Sequence, residues 1–157
     1  MRLGITGHRG LPPETTRLVT EALRITLDQI RPTPTGVSLL ADGPDSIFAE
    51  EILRLGGDLN VIVPATAYRD GLPVDHHSTY DRLLEQAAHV ERLPYRDSTE
   101  EAHMAGSQAM LERIDQLLAV WDQQPARGHG GTADVVKAAQ ERSIPVMIIW
   151  PVGATRD

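Results

Sequence analysis

Apolar positions along this chain keep two different rhythms. Short runs rich in apolar residues occupy positions 1–6, 37–41, 59–64, 89–93, 117–121 and 144–150. Runs of this length, bounded by Gly, Pro, Asp or Ser, predict buried strands. Between them, apolar residues recur every three or four positions, as one face of a helix does. Val19, Ala22, Leu23, Leu27 and Ile30 form one such face; Ile47, Phe48, Ile52 and Leu55 form the next. Ala102, Ala105, Ala109, Met110 and Ile114 give another, and Val135, Val136, Ala138 and Ala139 the last. Residues 78–88 predict a further helix, and residues 65–77 a polar loop. Pro12 and Pro13 suit a helix entry, where a missing N–H costs little. Ser98 with Glu101 spells a capping box, and Ser78 with Asp81 a weaker one.

Strands separated by helices predict a parallel sheet covered on both faces. Right-handed crossovers then bring every strand's C-terminal end to one rim. That rim collects residues 7–10, 41–45, 64–65 and 121–132, and open α/β sheets bind ligands there, where strand order reverses. Two of these connections are glycine turns between a strand and a helix: Gly7-His8-Arg9-Gly10 and Gly128-His129-Gly130-Gly131-Thr132. At such a turn the backbone N–H groups of a helix N-terminus face an anion, and the missing Cβ permits close approach. Thr132 caps its helix or donates its hydroxyl to a phosphate oxygen, and Arg9 offers a guanidinium fork. Asp42 and Asp45, around Gly43, either bond ribose hydroxyls or cap the following helix. Pro64, Trp121 and Asp122 border the same rim.

Composition narrows the picture. At 157 residues the chain suits one domain, residues 1–157, with no internal repeat. A net charge of −7 disfavours binding to a nucleic-acid backbone while leaving room for a local basic pocket. There is no cysteine, hence no disulfide framework or thiolate zinc site. Asp75-His76-His77 reads as loop and not as a metal site, because adjacent histidines point apart and no spaced third ligand follows. No cofactor is expected. Without an apolar span or leader-like segment, a cytoplasmic protein that does not enter membranes is expected.

Five motifs in fixed order carry a resemblance. They are Gly4-Ile5-Thr6-Gly7-His8-Arg9, Leu40-Ala41-Asp42-Gly43-Pro44-Asp45, Val61-Ile62-Val63-Pro64, Ala119-Val120-Trp121-Asp122 and Gly130-Gly131-Thr132-Ala133-Asp134-Val135-Val136. Over essentially its whole length the chain resembles the SLOG superfamily of Rossmann-like nucleotide-binding domains. That group includes the DNA-processing protein and the Lonely Guy phosphoribohydrolases. The resemblance implies a single Rossmann-like α/β domain with about six mostly parallel strands and helices on both faces. It also implies a nucleotide-type ligand and pairing of two copies into a homodimer.

Residue by residue, the carry-over is incomplete. Aligning the phosphoribohydrolase motif on Gly131 and Thr132 puts Val135 where those enzymes have a glutamate. Asp42 stands where the DNA-processing branch has an arginine, the wrong sign for a DNA phosphate. The sequence therefore leads to a module that binds, as a sensor would, a nucleotide-derived ligand of the ADP-ribose type. Its candidate contacts are Gly7, His8, Arg9, Asp42, Gly43, Asp45, Pro64, Trp121, Asp122, Gly130, Gly131 and Thr132. The competing expectation is an N-glycosidase with a rearranged catalytic carboxylate, drawn from Asp42, Asp45, Asp122 and Asp134.

Overall fold

In the computed structural model, which describes residues 1–125 and 131–156, six strands form one sheet in which every pairing is parallel. They are β1 (Arg2–Gly7), β2 (Thr35–Ser38), β3 (Leu59–Ala65), β4 (His89–Tyr95), β5 (Gln116–Val120) and β6 (Val146–Ile149). Their spatial order is β4-β3-β2-β1-β5-β6. The chain steps outward from β1 to β4, then returns to the other side of β1 to add β5 and β6. Strand order thus reverses between β1 and β5, as in doubly wound folds.

Five helices connect the strands: α1 (Pro13–Asp28), α2 (Pro44–Arg54), α3 (His77–Glu85), α4 (Glu100–Leu111) and α5 (Thr132–Glu141). Alternation along β1 shows how they divide. Leu3 and Ile5 are buried with Val19, Leu23 and Leu27 of α1 and with Phe48 and Ile52 of α2. The intervening Gly4 faces the other way, where an added Cβ would stand 2.7 Å from Ile114 and 3.1 Å from Met110. Period two in the strand therefore sends consecutive residues to helices on opposite faces. Along α1 and α2 the buried positions recur at helical spacing, as their apolar patterns predict.

A buried carboxylate joins the first two helices. Glu51 is 4% exposed, and its oxygens accept hydrogen bonds from Arg24 of α1 and Arg54 of α2. Burial pulls its pKa up, but these two guanidinium groups outweigh that and hold it below the ordinary value.

Several local expectations shift. β2 ends at Ser38, not Ala41: Ser38 Oγ accepts the Leu40 N–H at 3.0 Å, and Leu40 turns into the left-handed region at φ 57°. The cap of α4 is Thr99, whose hydroxyl accepts from Ala102 N–H, because the Ser98 hydroxyl is engaged with His103 at 2.7 Å. Ser78 lies inside α3, one residue past its start, and Asp81 pairs with Arg69 instead of closing a capping box. The 65–77 loop holds two short 3-10 turns, Arg69–Gly71 and Val74–His76. His76 and His77 reach different carbonyls there, those of Leu40 and Leu72. Among the described residues no group of three His, Cys, Asp or Glu is placed to hold a metal, and no helix is long and apolar enough to cross a membrane.

Candidate functional site

A cavity of about 280 Å³ lies at the C-terminal end of β1, bordered by the turn after β2, by α4 and by the start of α5. The first glycine turn forms one wall. Gly7 has no room for a side chain, since a Cβ would come within 2.7 Å of Pro44 and 2.9 Å of Val120. Its glycine thus serves close packing of α2 and β5 beneath the rim, in addition to clearing the cavity. The next residue, His8, is 4% exposed and donates its backbone N–H to the Val120 carbonyl.

The start of α5 faces this wall. Gly131 is the residue before the helix, and Thr132 is its first, buried residue. The cap position belongs to Gly131, so of the two roles its position allowed, capping is not the one Thr132 takes. The N–H groups of Asp134 and Val135 bond the Gly131 carbonyl, while those of Thr132 and Ala133 open the helix without an acceptor inside it. Gly131 and Thr132 line the same cavity as Gly7, His8, Arg9 and Asp45. One glycine from each turn, Gly7 and Gly131, thus lines this cavity. Gly130, with Gly128 and His129, lies outside the described residues.

Other predicted residues stand behind this lining. Asp42 accepts from Arg9 Nε at 2.8 Å and orients its guanidinium. Asp122 holds His8, with Oδ1 3.0 Å from Nε2, and also accepts the Gln124 N–H. Burial pulls the Asp122 carboxyl up, yet that N–H, His8 and Arg156 together keep its pKa below the usual value. Gly43 precedes α2 at φ 91°, a backbone only glycine adopts readily, and so fixes the turn that positions Asp42 and Asp45. Pro64 and Trp121 do not line the cavity. Pro64 is buried on β3 where its register shifts, and packs close against Gly106 of α4. The Trp121 indole N–H turns to the Gln124 carbonyl at 2.9 Å.

Asp45 has a distinct environment. Its Oδ2 accepts the Ala41 N–H at 3.3 Å, and it makes no salt bridge among the described residues. Desolvation pushes its pKa to about 7, against the opposing pull of the Ala41 N–H and of Arg9. Neither Asp42 nor Asp45 caps α2, whose cap residue is Gly43 with no side-chain bond.

Tyr68, His103 and Arg156 are among the lining residues that carry no sequence motif. Tyr68 comes from the 65–77 loop and is buried, its phenol pKa raised well above 10 by burial and by Asp45. His103 of α4 meets the Tyr68 ring edge-on at 5.4 Å, and burial, with Arg9 nearby, lowers its pKa. Arg156 enters from the C-terminal tail. By contrast Val135 is 1% exposed and belongs to the core, so the position of the phosphoribohydrolase glutamate does not face the cavity.

No family model and no curated protein matches this chain. Its fold does match solved structures. The DNA processing protein A of Streptococcus pneumoniae superposes with a TM-score of 0.71 at 16% identity, over 97% of this chain and 51% of that one. The Helicobacter pylori protein of the same name, described with its single-stranded DNA binding mode, gives 0.71 at 15% identity, over 99% and 68%. A molybdenum cofactor binding protein from Rippkaea orientalis gives 0.61 at 12% identity, over 96% and 76%. The chain thus spans about half the length of the pneumococcal protein. With β1 at the switch point and helices on both faces, the chain has a Rossmann-like fold, shared with these DNA processing and molybdenum cofactor binding proteins.

Proposed function

We propose that the protein binds a nucleotide or nucleotide-derived ligand, of the ADP-ribose type, in the cavity between the end of β1, α4 and the start of α5. The observation that carries this reading is the meeting of Gly7, Arg9, Gly131 and Thr132 on one cavity at the switch point. Its phosphate lies against the first N–H groups of α5 and the Thr132 hydroxyl. Arg9, aligned by Asp42, adds positive charge, and Leu39 with Tyr68 offers an apolar side for the sugar and base. The volume is near the lower end for small-molecule sites, roughly 300–1,000 Å³, and suits a compact ligand. Single-stranded DNA and molybdenum cofactor, the ligands named for two proteins of like fold, support a ligand-holding role without favouring either here.

Thermal unfolding with AMP, ADP-ribose and NAD tests the reading. A ligand at 100 times its Kd adds about 2.7 kcal/mol of stability, a rise of roughly 5–10 °C for a chain of this size. Gly131→Asp places a carboxylate in the phosphate position and removes that rise. An unchanged rise in Gly131→Asp sinks the phosphate cradle.

A second reading, hydrolysis of the ligand's N-glycosidic bond, rests on one observation. Of Asp42, Asp45, Asp122 and Asp134, only Asp45 lines the cavity. Its pKa of about 7 fits proton transfer near neutral pH. Free base released from AMP by the native protein and not by Asp45→Asn supports this reading; intact AMP at high protein concentration rejects it.

A further inference from the structure

The C-terminal tail does not leave the molecule after β6. Ala154 N–H bonds the Pro151 carbonyl at 3.0 Å, which turns the chain back across the rim. Gly153 takes φ 92° in that turn and lies over Leu18 of α1. Thr155 is then fixed at both of its backbone groups. Its N–H is donated to Thr15 Oγ1 at 2.9 Å, and its carbonyl accepts from the same hydroxyl at 2.8 Å. Thr15 is 1% exposed, so this clasp is built into the body of the protein and is not a chance surface contact.

The clasp delivers Arg156 to the cavity. Its side chain is only 17% exposed, and among the described residues its one ion contact is a long one, Nη1 to Asp122 Oδ2 at 3.9 Å. Among the described residues it makes no hydrogen bond, although a guanidinium carries five N–H donors. Arg9, the other cavity arginine, already has its fork on Asp42. A largely buried guanidinium with its donors unassigned, on the wall of a ligand-sized cavity, is arranged for an anionic acceptor that arrives from outside.

We propose that the tail, residues 151–156, is a structural part of the ligand site, and that Arg156 binds the ligand's phosphate opposite the start of α5. This rests on the nucleotide-binding reading above and adds to it a residue that sets specificity. Arg156 makes the site select phosphorylated ligands over the corresponding nucleosides. Thr15 is the positioning residue that holds it there.

Calorimetric titration of AMP, adenosine and inorganic phosphate into the native protein, Arg156→Gln, Arg156→Lys and Thr15→Val tests this. The preference for AMP over adenosine falls by about tenfold or more in Arg156→Gln, as loss of a charge-assisted hydrogen bond predicts, and by less in Arg156→Lys. Thr15→Val keeps the shape and burial of its side chain, so it releases the tail without touching the cavity. It also weakens AMP, and it speeds hydrogen exchange at the Thr155 amide. Native binding of AMP with an unaltered preference in Arg156→Gln overturns the role of the tail and leaves the nucleotide site standing. A native protein that binds neither AMP nor phosphate overturns both.

Discussion

Arg9 donates to Asp42 Oδ1 from Nε at 2.8 Å and approaches it through Nη2 at 2.7 Å, and the neighbouring Asp45 makes no salt bridge among the described residues. Asp45 is therefore a part-buried acid whose pKa stands at about 7 against an ordinary 3.8. The folded value lies above the unfolded one, so folding favours the protonated form. Its contribution is complete below pH ~4 and is lost as pH rises towards 7, by about 4 kcal/mol at most. Denaturant midpoints for native protein and Asp45→Asn between pH 4 and 8 read this directly. The variant gains on the native protein as pH rises; parallel curves contradict it.

Removing Asp42 changes two charges around Asp45 together. Asp42→Asn takes away a nearby negative charge and releases the Arg9 guanidinium, and both effects favour ionised Asp45. The Asp45 carboxyl then titrates below its native value. Carbon-detected NMR titration of the aspartates is the measurement, and an unchanged midpoint would falsify the role given to the Arg9–Asp42 pair.

Glu51 has the opposite pH behaviour. Its folded pKa is below the ordinary 4.5, so its stabilising effect is present above that value and is lost as pH falls further. Taking both Arg24 and Arg54 to Gln leaves a buried carboxylate unpaired, which costs about 3 kcal/mol, whereas Glu51→Gln costs less because no bare charge remains. Urea unfolding at pH 7 ranks the two; equal losses would mean that the exposed guanidinium groups contribute little.

What the sequence shows of this molecule follows from the range over which each feature is decided. Strands and helices are visible because burial repeats locally, and Leu3, Ile5, Phe48 and Ile52 fall where their periods place them. The end of β2 is hidden, because Leu40 and Ala41 are apolar like the strand before them. Ser38, and His76 from another loop, decide the turn there. The glycine turns are legible as short motifs, and parallel topology suffices to bring Gly7 and Gly131 to one rim. Tyr68, His103 and Arg156 come from a loop, a helix flank and a tail with no pattern of their own. The pairing of His8 with Asp122 spans 114 positions and leaves no local mark.

Gly7 tests whether the rim depends on packing beneath it. Alanine there would put its Cβ 2.7 Å from Pro44 and 2.9 Å from Val120, neither of which can swing aside as a long side chain would. Overpacking of this kind costs about 1–3 kcal/mol. At 2–4 °C per kcal/mol for a chain of this size, Gly7→Ala lowers Tm by roughly 2–12 °C. Gly10 has nothing within 4 Å of an added Cβ but sits at φ 64°, so its alanine variant loses only about 1 kcal/mol, from backbone strain. Equal losses in a melting experiment would place the constraint in backbone conformation instead of packing.

Thr132 separates the hydroxyl from the helix that bears it. It is buried as the first residue of α5 and lines the cavity, while the cap position is Gly131. Valine preserves its branched shape, so Thr132→Val leaves Tm within about 2 °C, since little is lost when a group outside the internal hydrogen-bond network is replaced. Phosphate binding loses one neutral hydrogen bond, a fall of roughly two- to tenfold in AMP affinity. Because the backbone N–H groups remain, the salt dependence of AMP binding is unaltered in Thr132→Val, while Gly131→Asp abolishes binding at every ionic strength. An AMP affinity indifferent to Thr132→Val assigns the phosphate to the backbone N–H groups, Arg9 and Arg156 without the hydroxyl.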